Sequence, residues 1–166
     1  MVHLSFLLIC ALFVSLWQVP SQEWRGLSVL NSTRADVERL LGPPKDNFDN
    51  ELLIYYLPEQ VVSFGFDGNP KCQEKSKFIT WDVSKETITT IRVGLKQPIP
   101  VAEVGIDLTK LTKKKGDFDR DDHFYYSDTN GFSIEVAGNR RAGEGNIMGY
   151  IYEPGSNRKA LRCPVD

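Results

Sequence analysis

The densest run of groups that could do chemistry is Asp117-Phe118-Asp119-Arg120-Asp121-Asp122, followed by His123. Carboxylates at alternating positions are what the first half of a calcium loop uses, with Asp117, Asp119 and Asp121 as the ligands. The sixth position of such a loop needs glycine and here holds Asp122. The twelfth holds Asp128 where a bidentate Glu belongs. Lys113, Lys114 and Lys115 stand just upstream and can neutralise the run, which favours a solvated loop. His123 beside Asp121 and Asp122 could act as a general base. A metal-dependent or hydrolytic enzyme built on Asp117–His123 is therefore the alternative reading. No serine sits in a nucleophile-elbow context, and the second histidine, His3, lies in the leader. The spacing thus supplies no catalytic constellation, and neither an enzyme nor a cofactor is expected.

The cysteines point to a compartment. Leu4 to about Trp17 is an apolar run, followed by Val19-Pro20-Ser21. That length suits a secretory signal and is short for a bilayer span. Cleavage is expected near Ser21, with export to the periplasm or medium, and membrane contact only through an uncleaved leader. Leu7-Leu8-Ile9-Cys10 has Ile where a lipidation site needs a small residue. Two cysteines then remain, Cys72 and Cys163, and in an exported chain one pair implies one disulfide. Neither CxxC nor HxxxH spacing is present for zinc.

Charge excludes a partner class. With 20 basic and 22 acidic side chains the net charge is −2, so the basic footprint of nucleic-acid binding is missing. Lys110 with Lys113–Lys115 makes the one basic cluster and reads as a solvated face.

The elements that would position these groups are legible in places. Thr33 can cap a helix, with Asp36 favouring its positive end. Val37, Leu40 and Leu41 make its core stripe, and Gly42-Pro43-Pro44 ends it. Glu51–Leu57 and Gln60–Phe66 predict a hairpin around Pro58-Glu59. Lys77–Val83 and Thr87–Leu95 read as two further strands. Val101-Ala102-Glu103-Val104 predicts a shorter helix. Phe124–Ser127 and Gly131–Val136 predict a second hairpin, with Asn130-Gly131 as its turn. Asn146–Glu153 reads as a further strand and Arg158–Cys163 as the last one.

Behind this order lies a weak internal repeat. An ungapped offset of 70 lays Ile54–Gly94 over Phe124–Pro164, matching Tyr55-Tyr56 to Tyr125-Tyr126, Ser63 to Ser133 and Arg92 to Arg162. A repeated unit points to a doubled scaffold. The expected fold class is α+β: a tandem repeat (about 30–95 and 98–164) of a short helix followed by an antiparallel sheet of about four strands. After the leader 1–21, residues 22–166 would form a single compact domain.

The run Ser32-Thr33-Arg34-Ala35-Asp36-Val37-Glu38-Arg39-Leu40-Leu41-Gly42-x-Pro44, then a hairpin, resembles the opening of the outer-membrane assembly lipoprotein family BamE (SmpA/OmlA). The tandem arrangement resembles the β-lactamase-inhibitor-protein fold, and the whole chain looks like small secreted bacterial proteins. The resemblance implies fold, export and a protein-binding role, and carries over no functional residues.

A binding surface is expected on the sheet. With two-residue hairpin loops, Val62, Phe64, Phe66, Phe132, Ile134 and Val136 face the helices. The opposite face would then carry Tyr56, Phe78, Tyr126, Tyr150 and Tyr152 among small residues. Tyrosines anchor interfaces at low entropy cost. The expected partner is another exported or envelope protein.

Overall fold

A computed structural model describes residues 23–48, 51–115, 123–138 and 145–165. The first helix, α1 (Arg34–Leu41), begins where its cap demands. The Asp36 carboxylate accepts from the Thr33 backbone amide at 2.8 Å and from its hydroxyl at 2.8 Å, and the Thr33 hydroxyl accepts from the Asp36 amide at 3.4 Å. Two of the helix's orphan donors are satisfied reciprocally. Val37 is fully buried and Leu41 packs against the core, whereas Leu40 is 48 % exposed. The stripe is therefore narrower than its i, i+3, i+4 spacing predicts. Burial of Val37 contributes about 1.5–2 kcal/mol.

A two-stranded ribbon, β1 (Glu23–Trp24) and β2 (Leu27–Ser28), precedes this helix. Its Trp24 ring lies edge-on to Phe64 with centroids 5.7 Å apart. After α1 come β3 (Asp46–Phe48), β4 (Leu52–Tyr56), β5 (Gln60–Gly65) and β6 (Thr90–Pro100). Helix α2 (Val101–Val104) follows directly, then a 3-10 turn Leu108–Lys110, β7 (Thr112–Lys115), β8 (His123–Ser127), β9 (Phe132–Ala137) and β10 (Asn146–Tyr152).

Strands β3 to β10 form one eight-stranded sheet in the order β3-β4-β5-β6-β10-β9-β8-β7, antiparallel throughout. The molecule is mixed α+β, with few helices and antiparallel sheets. Two apolar clusters lie under one face. One gathers Trp24, Val37, Leu53, Tyr55, Val62, Phe64 and Ile91; the other gathers Val101, Leu108, Tyr126, Phe132, Ile134, Val136 and Ile147. Tyr150 and Tyr152 pack against both and join them. The Tyr55 hydroxyl donates to the Gly42 carbonyl at 3.0 Å, tying β4 to the end of α1.

The two hairpins differ in loop length, and that difference decides which face each tyrosine takes. In the first, the Leu57 amide donates to the Gln60 carbonyl at 2.9 Å, leaving the two-residue loop Pro58-Glu59. In the second, the Asp128 amide donates to the Phe132 carbonyl at 3.0 Å, leaving three residues, Thr129-Asn130-Gly131. Gly131 at φ +94° supplies the positive φ that such a loop requires. The Asp128 carboxylate stiffens the turn by accepting from the Asn130 and Phe132 amides at 2.8 and 3.0 Å. One extra residue inverts the parity across the turn, so the ungapped offset of 70 does not hold through the hairpin. Tyr55 pairs with Val62 on the core face, while its sequence match Tyr125 pairs with Glu135. At the far end Arg92 lies in β6, whereas its match Arg162 follows the 3-10 helix Ser156–Leu161.

Three expected strands are corrected. Lys77–Val83 is irregular, touching the rest through isolated bridges from Trp81 to Gly68 and to Arg162. Arg158–Cys163 belongs to that 3-10 helix and the segment after it. The strand expected over Thr87–Leu95 begins at Thr90 and continues to Pro100. The irregular stretch is organised by Asn69, 2 % exposed. Its backbone amide donates to Trp81 O at 2.7 Å, and its side chain donates to and accepts from Glu74 at 2.7 and 3.1 Å. The expected disulfide is present: Cys72 and Cys163 are bonded, with Cα atoms 5.4 Å apart. It ties this loop to the C-terminal segment, beside the backbone bonds Cys163 N to Thr80 O (3.0 Å) and Asp82 N to Leu161 O (2.7 Å).

Candidate functional site

The sheet has a second face, on the side away from both helices. Paired residues across an antiparallel ladder share a face, so the register names its members. One rung runs Asp46, Ile54, Ser63, Arg92, Ile151, Ser133, Ser127, Thr112, one residue from each of the eight strands. Neighbouring rungs add Phe48, Leu52, Gly65 and Thr90 on one side and Tyr56, Val61 and Gly94 on the other.

This face divides into two zones. Over β3 to β5 it is apolar: Phe48 and Tyr56 are 56 % and 52 % exposed, and Leu52, Ile54 and Val61 are half-buried. Lys45 Nζ stands 5.3 Å from the Tyr56 ring centroid. The Asp46 carboxylate, hydrogen-bonded to the Tyr56 hydroxyl, holds that phenol above its ordinary range. Over β6 to β7 the face is a polar trough. One cleft of about 620 Å³ is floored by Ser127, Ser133 and Ile151 and edged by Lys114 and Tyr125. It adjoins a second of about 400 Å³ lined by Ile79, Trp81, Thr90, Lys159 and Arg162. Arg92 and Glu153, 3.9 Å apart, line both.

The expected five-residue aromatic surface is not one surface. Tyr56 lies on the open face as expected. Tyr126 is 2 % exposed and sits opposite Ile134 in the core, because the three-residue turn shifts β8 by one. Tyr150 and Tyr152 also face the core, paired with Ile134 and Phe132; their rings lie 6.0 and 5.3 Å from that of Phe132. Burial pushes both phenols above their ordinary range. Phe78 is 81 % exposed but belongs to the irregular loop, off the sheet.

Asp117, Asp119 and Asp121 lie outside the described residues; His123 opens β8 across from Ala137. Among the described residues no group of three or more His, Cys, Asp or Glu could hold a metal ion. Among them, too, no helix is long and apolar enough to cross a membrane.

Sequence reasoning passed over Phe48, Leu52, Ile54 and Val61, and over the trough around Arg92. A signal for the first group exists: Leu52-Leu53-Ile54-Tyr55-Tyr56 is apolar without alternation, the pattern of a strand with two apolar faces. Comparison of the chain with protein-family models, with curated proteins and with solved structures finds no match among any of them.

Proposed function

We propose that this chain is an exported, non-enzymatic protein-binding module of the bacterial envelope or surrounding medium, meeting its partner through the open face of the sheet. The observation that carries this reading is the apolar zone of Phe48, Leu52, Ile54, Tyr56 and Val61 on the face away from both helices. Contiguous exposed apolar surface of this kind marks interaction sites, and a rigid sheet holds it in place without an ordering cost on binding.

Two further features support the setting. The Cys72–Cys163 bond is consistent with an oxidising compartment, and the apolar run after Leu4 fits a cleaved leader. Each helix is followed in the chain by four strands, and the last of each set, β6 and β10, lie side by side. That order favours a doubled helix-plus-sheet unit of the kind found in the BamE-like and β-lactamase-inhibitor-like folds.

The test is capture from the native host with tagged wild-type protein and matched variants. Phe48→Ser with Tyr56→Ser should lose a stoichiometric partner that wild type and Phe78→Ser retain. Both changed side chains are exposed, so the fold survives and thermal melting checks it. A partner retained equally by all three proteins, or recovery of the lone monomer, overturns the reading.

A further inference from the structure

We infer that the polar trough across β6 to β7 is a binding site for a neutral glycan chain, a second site on the open face that is separate from the apolar docking zone and does not rest on it.

The lining is balanced in charge. Asp67, Asp128 and Glu153 line the two clefts, and Glu135 stands on the same face beside Tyr125. Against these four acids stand four bases, Arg92, Lys114, Lys159 and Arg162. A polyanion therefore meets the carboxylates and a polycation meets the bases, whereas a neutral polyol meets no net charge. What the lining offers such a ligand is hydrogen bonding in both senses. Carboxylates accept, guanidinium and ammonium groups donate, and the hydroxyls of Ser127 and Ser133 do either. Arg92 and Glu153, 3.9 Å apart, set a donor beside an acceptor, as two neighbouring sugar hydroxyls require. A hydroxyl that bonds to charged partners makes the stronger kind of hydrogen bond.

The floor and rims suit sugar rings. One rung of the face places Ile151, Ser133 and Ser127 side by side, and the next runs Gly94, Gly149, Glu135, Tyr125 and Lys114. Two glycines and two serines keep the floor low. Gly149 can carry no side chain, since a Cβ there would stand 2.4 Å from the Val93 carbonyl oxygen. Trp81 lines the cleft on the β6 side and Tyr125 the one on the β8 side, each half-buried. An aromatic face takes up the C–H face of a pyranose ring, burying apolar area while the ring's hydroxyls stay free to bond. Four strand spacings separate β6 from β7, roughly 19 Å, so the trough accommodates a chain of rings and a single sugar fills only part of it.

An extended peptide is the poorer fit. Strands β6, β10, β9 and β8 are each paired on both sides, so the trough offers no row of backbone groups for a peptide strand to join. Apart from the two rings its apolar lining is Ile79, Ile151 and Pro154, short of the anchor cluster on which protein interfaces centre. The trough is also formed before any ligand arrives. The Glu153 amide donates to the Gly131 carbonyl (2.8 Å) and the Ser156 amide to the Thr129 carbonyl (3.0 Å). Trp81 is fixed by its amide on the Asp67 carbonyl (3.0 Å) and by the Asn69 amide on its own carbonyl (2.7 Å). Such preorganisation limits the entropy lost on binding.

The experiment is isothermal titration calorimetry of the full mature chain with cellohexaose, chitohexaose, xylohexaose and maltohexaose, and with polyglutamate and polylysine as charged chains. At least one neutral hexasaccharide should bind saturably, bind more tightly than its own disaccharide, and keep its affinity as salt is raised, because no charge on the ligand is screened. Tyr125→Ala removes a rim and Ser133→Trp fills the floor; each should weaken binding by about tenfold or more, with thermal melting to confirm that both variants fold. Phe48→Ser with Tyr56→Ser should leave glycan binding unchanged while abolishing partner capture, so the failure of one site is read apart from the failure of the other. No binding by any of these hexasaccharides at millimolar concentration overturns the inference, as does binding that both trough variants retain. Tighter binding of polyglutamate or polylysine than of every hexasaccharide also overturns it and reassigns the trough to a charged chain. Loss of partner capture in Ser133→Trp, without glycan binding by wild type, overturns it in favour of the protein partner.

Discussion

Tyr126 lies directly across the β8–β9 ladder from Ile134, and both side chains enter the core beneath the sheet. Its neighbour Tyr125 points to the opposite face, across from Glu135. Two adjacent tyrosines therefore make opposite predictions. Tyr126→Ala opens a cavity and should cost about 3–5 kcal/mol, lowering the melting temperature by roughly 10 °C. Tyr125→Ala should cost under about 1 kcal/mol. Paired thermal melts decide; the reverse order would mean that the second turn has two residues and that Tyr126 belongs to the open face.

Much of this fold is written locally and so can be read locally. Thr33, Asp36, Val37 and Gly42 each carry a short-range reason for their place, and α1 follows from them. Alternation in Val62-x-Phe64 and in Phe132-x-Ile134-x-Val136 found the core face of β5 and β9. What short-range patterns lack is phase between elements. Tyr150 and Tyr152 do share a face, but which face depends on pairing with Ile134 and Phe132, and so on a turn one residue longer than assumed. The edge strands Asp46–Phe48 and Thr112–Lys115 carry little alternation, since an edge gains its strand character from a single neighbour. Lys77–Val83 looks like a strand by composition, yet Asn69 and the disulfide hold its backbone in an irregular path.

Gly131 should tolerate no side chain. A Cβ there would stand 1.8 Å from the Glu153 carbonyl oxygen, and its φ of +94° is one that L-residues rarely adopt. Gly131→Ala should cost about 2 kcal/mol or more through strain and lost turn geometry. Gly138→Ala, also at positive φ (+72°) but with open space around its Cβ, isolates the conformational part. Equal melting of the two variants would show that contact with Glu153 is unimportant.

The disulfide spans 91 residues of chain, for which the chain-entropy model gives roughly 4–5 kcal/mol. Reduction, or Cys72→Ser with Cys163→Ser, should lower the melting temperature by about 10–15 °C. Because Asn69 organises the loop through separate hydrogen bonds, far-ultraviolet circular dichroism at 25 °C should change little. Melting unaffected by reductant would show that the unfolded chain is not constrained by this link.

Acid should loosen the end of α1 first. The Thr33 amide and hydroxyl, then Arg39, hold the Asp36 carboxyl below its ordinary range. A depressed folded-state value stabilises the protein above the unfolded pKa, about 3.9, and that stabilisation disappears as pH falls through the folded value. Asp36→Asn should therefore melt below wild type at pH 7, with the two curves converging toward pH 2. A constant gap across that range would assign the cap to hydrogen bonding alone, without charge.

The strand β7 lies last in the described sheet and carries three consecutive lysines. The strand Thr112-Lys113-Lys114-Lys115 pairs with β8 on one side and with no described strand on the other. An edge left with unpaired amides and carbonyls invites pairing with a second chain, and charged side chains repel such an approach. Lys113 Nζ lies 5.7 Å from the Tyr126 ring centroid, so its stem also covers the rim of the core. Lys113→Val with Lys115→Val should leave the monomer folded but cause association that grows with concentration, since valine favours the strand and removes the repulsion. Light scattering across a concentration series reads this directly. Lys85→Val with Lys110→Val removes the same charge away from the edge and should leave the protein monomeric. Association in both pairs would trace the effect to lost net charge, and association in neither would show that the short β7 edge protects itself by length alone.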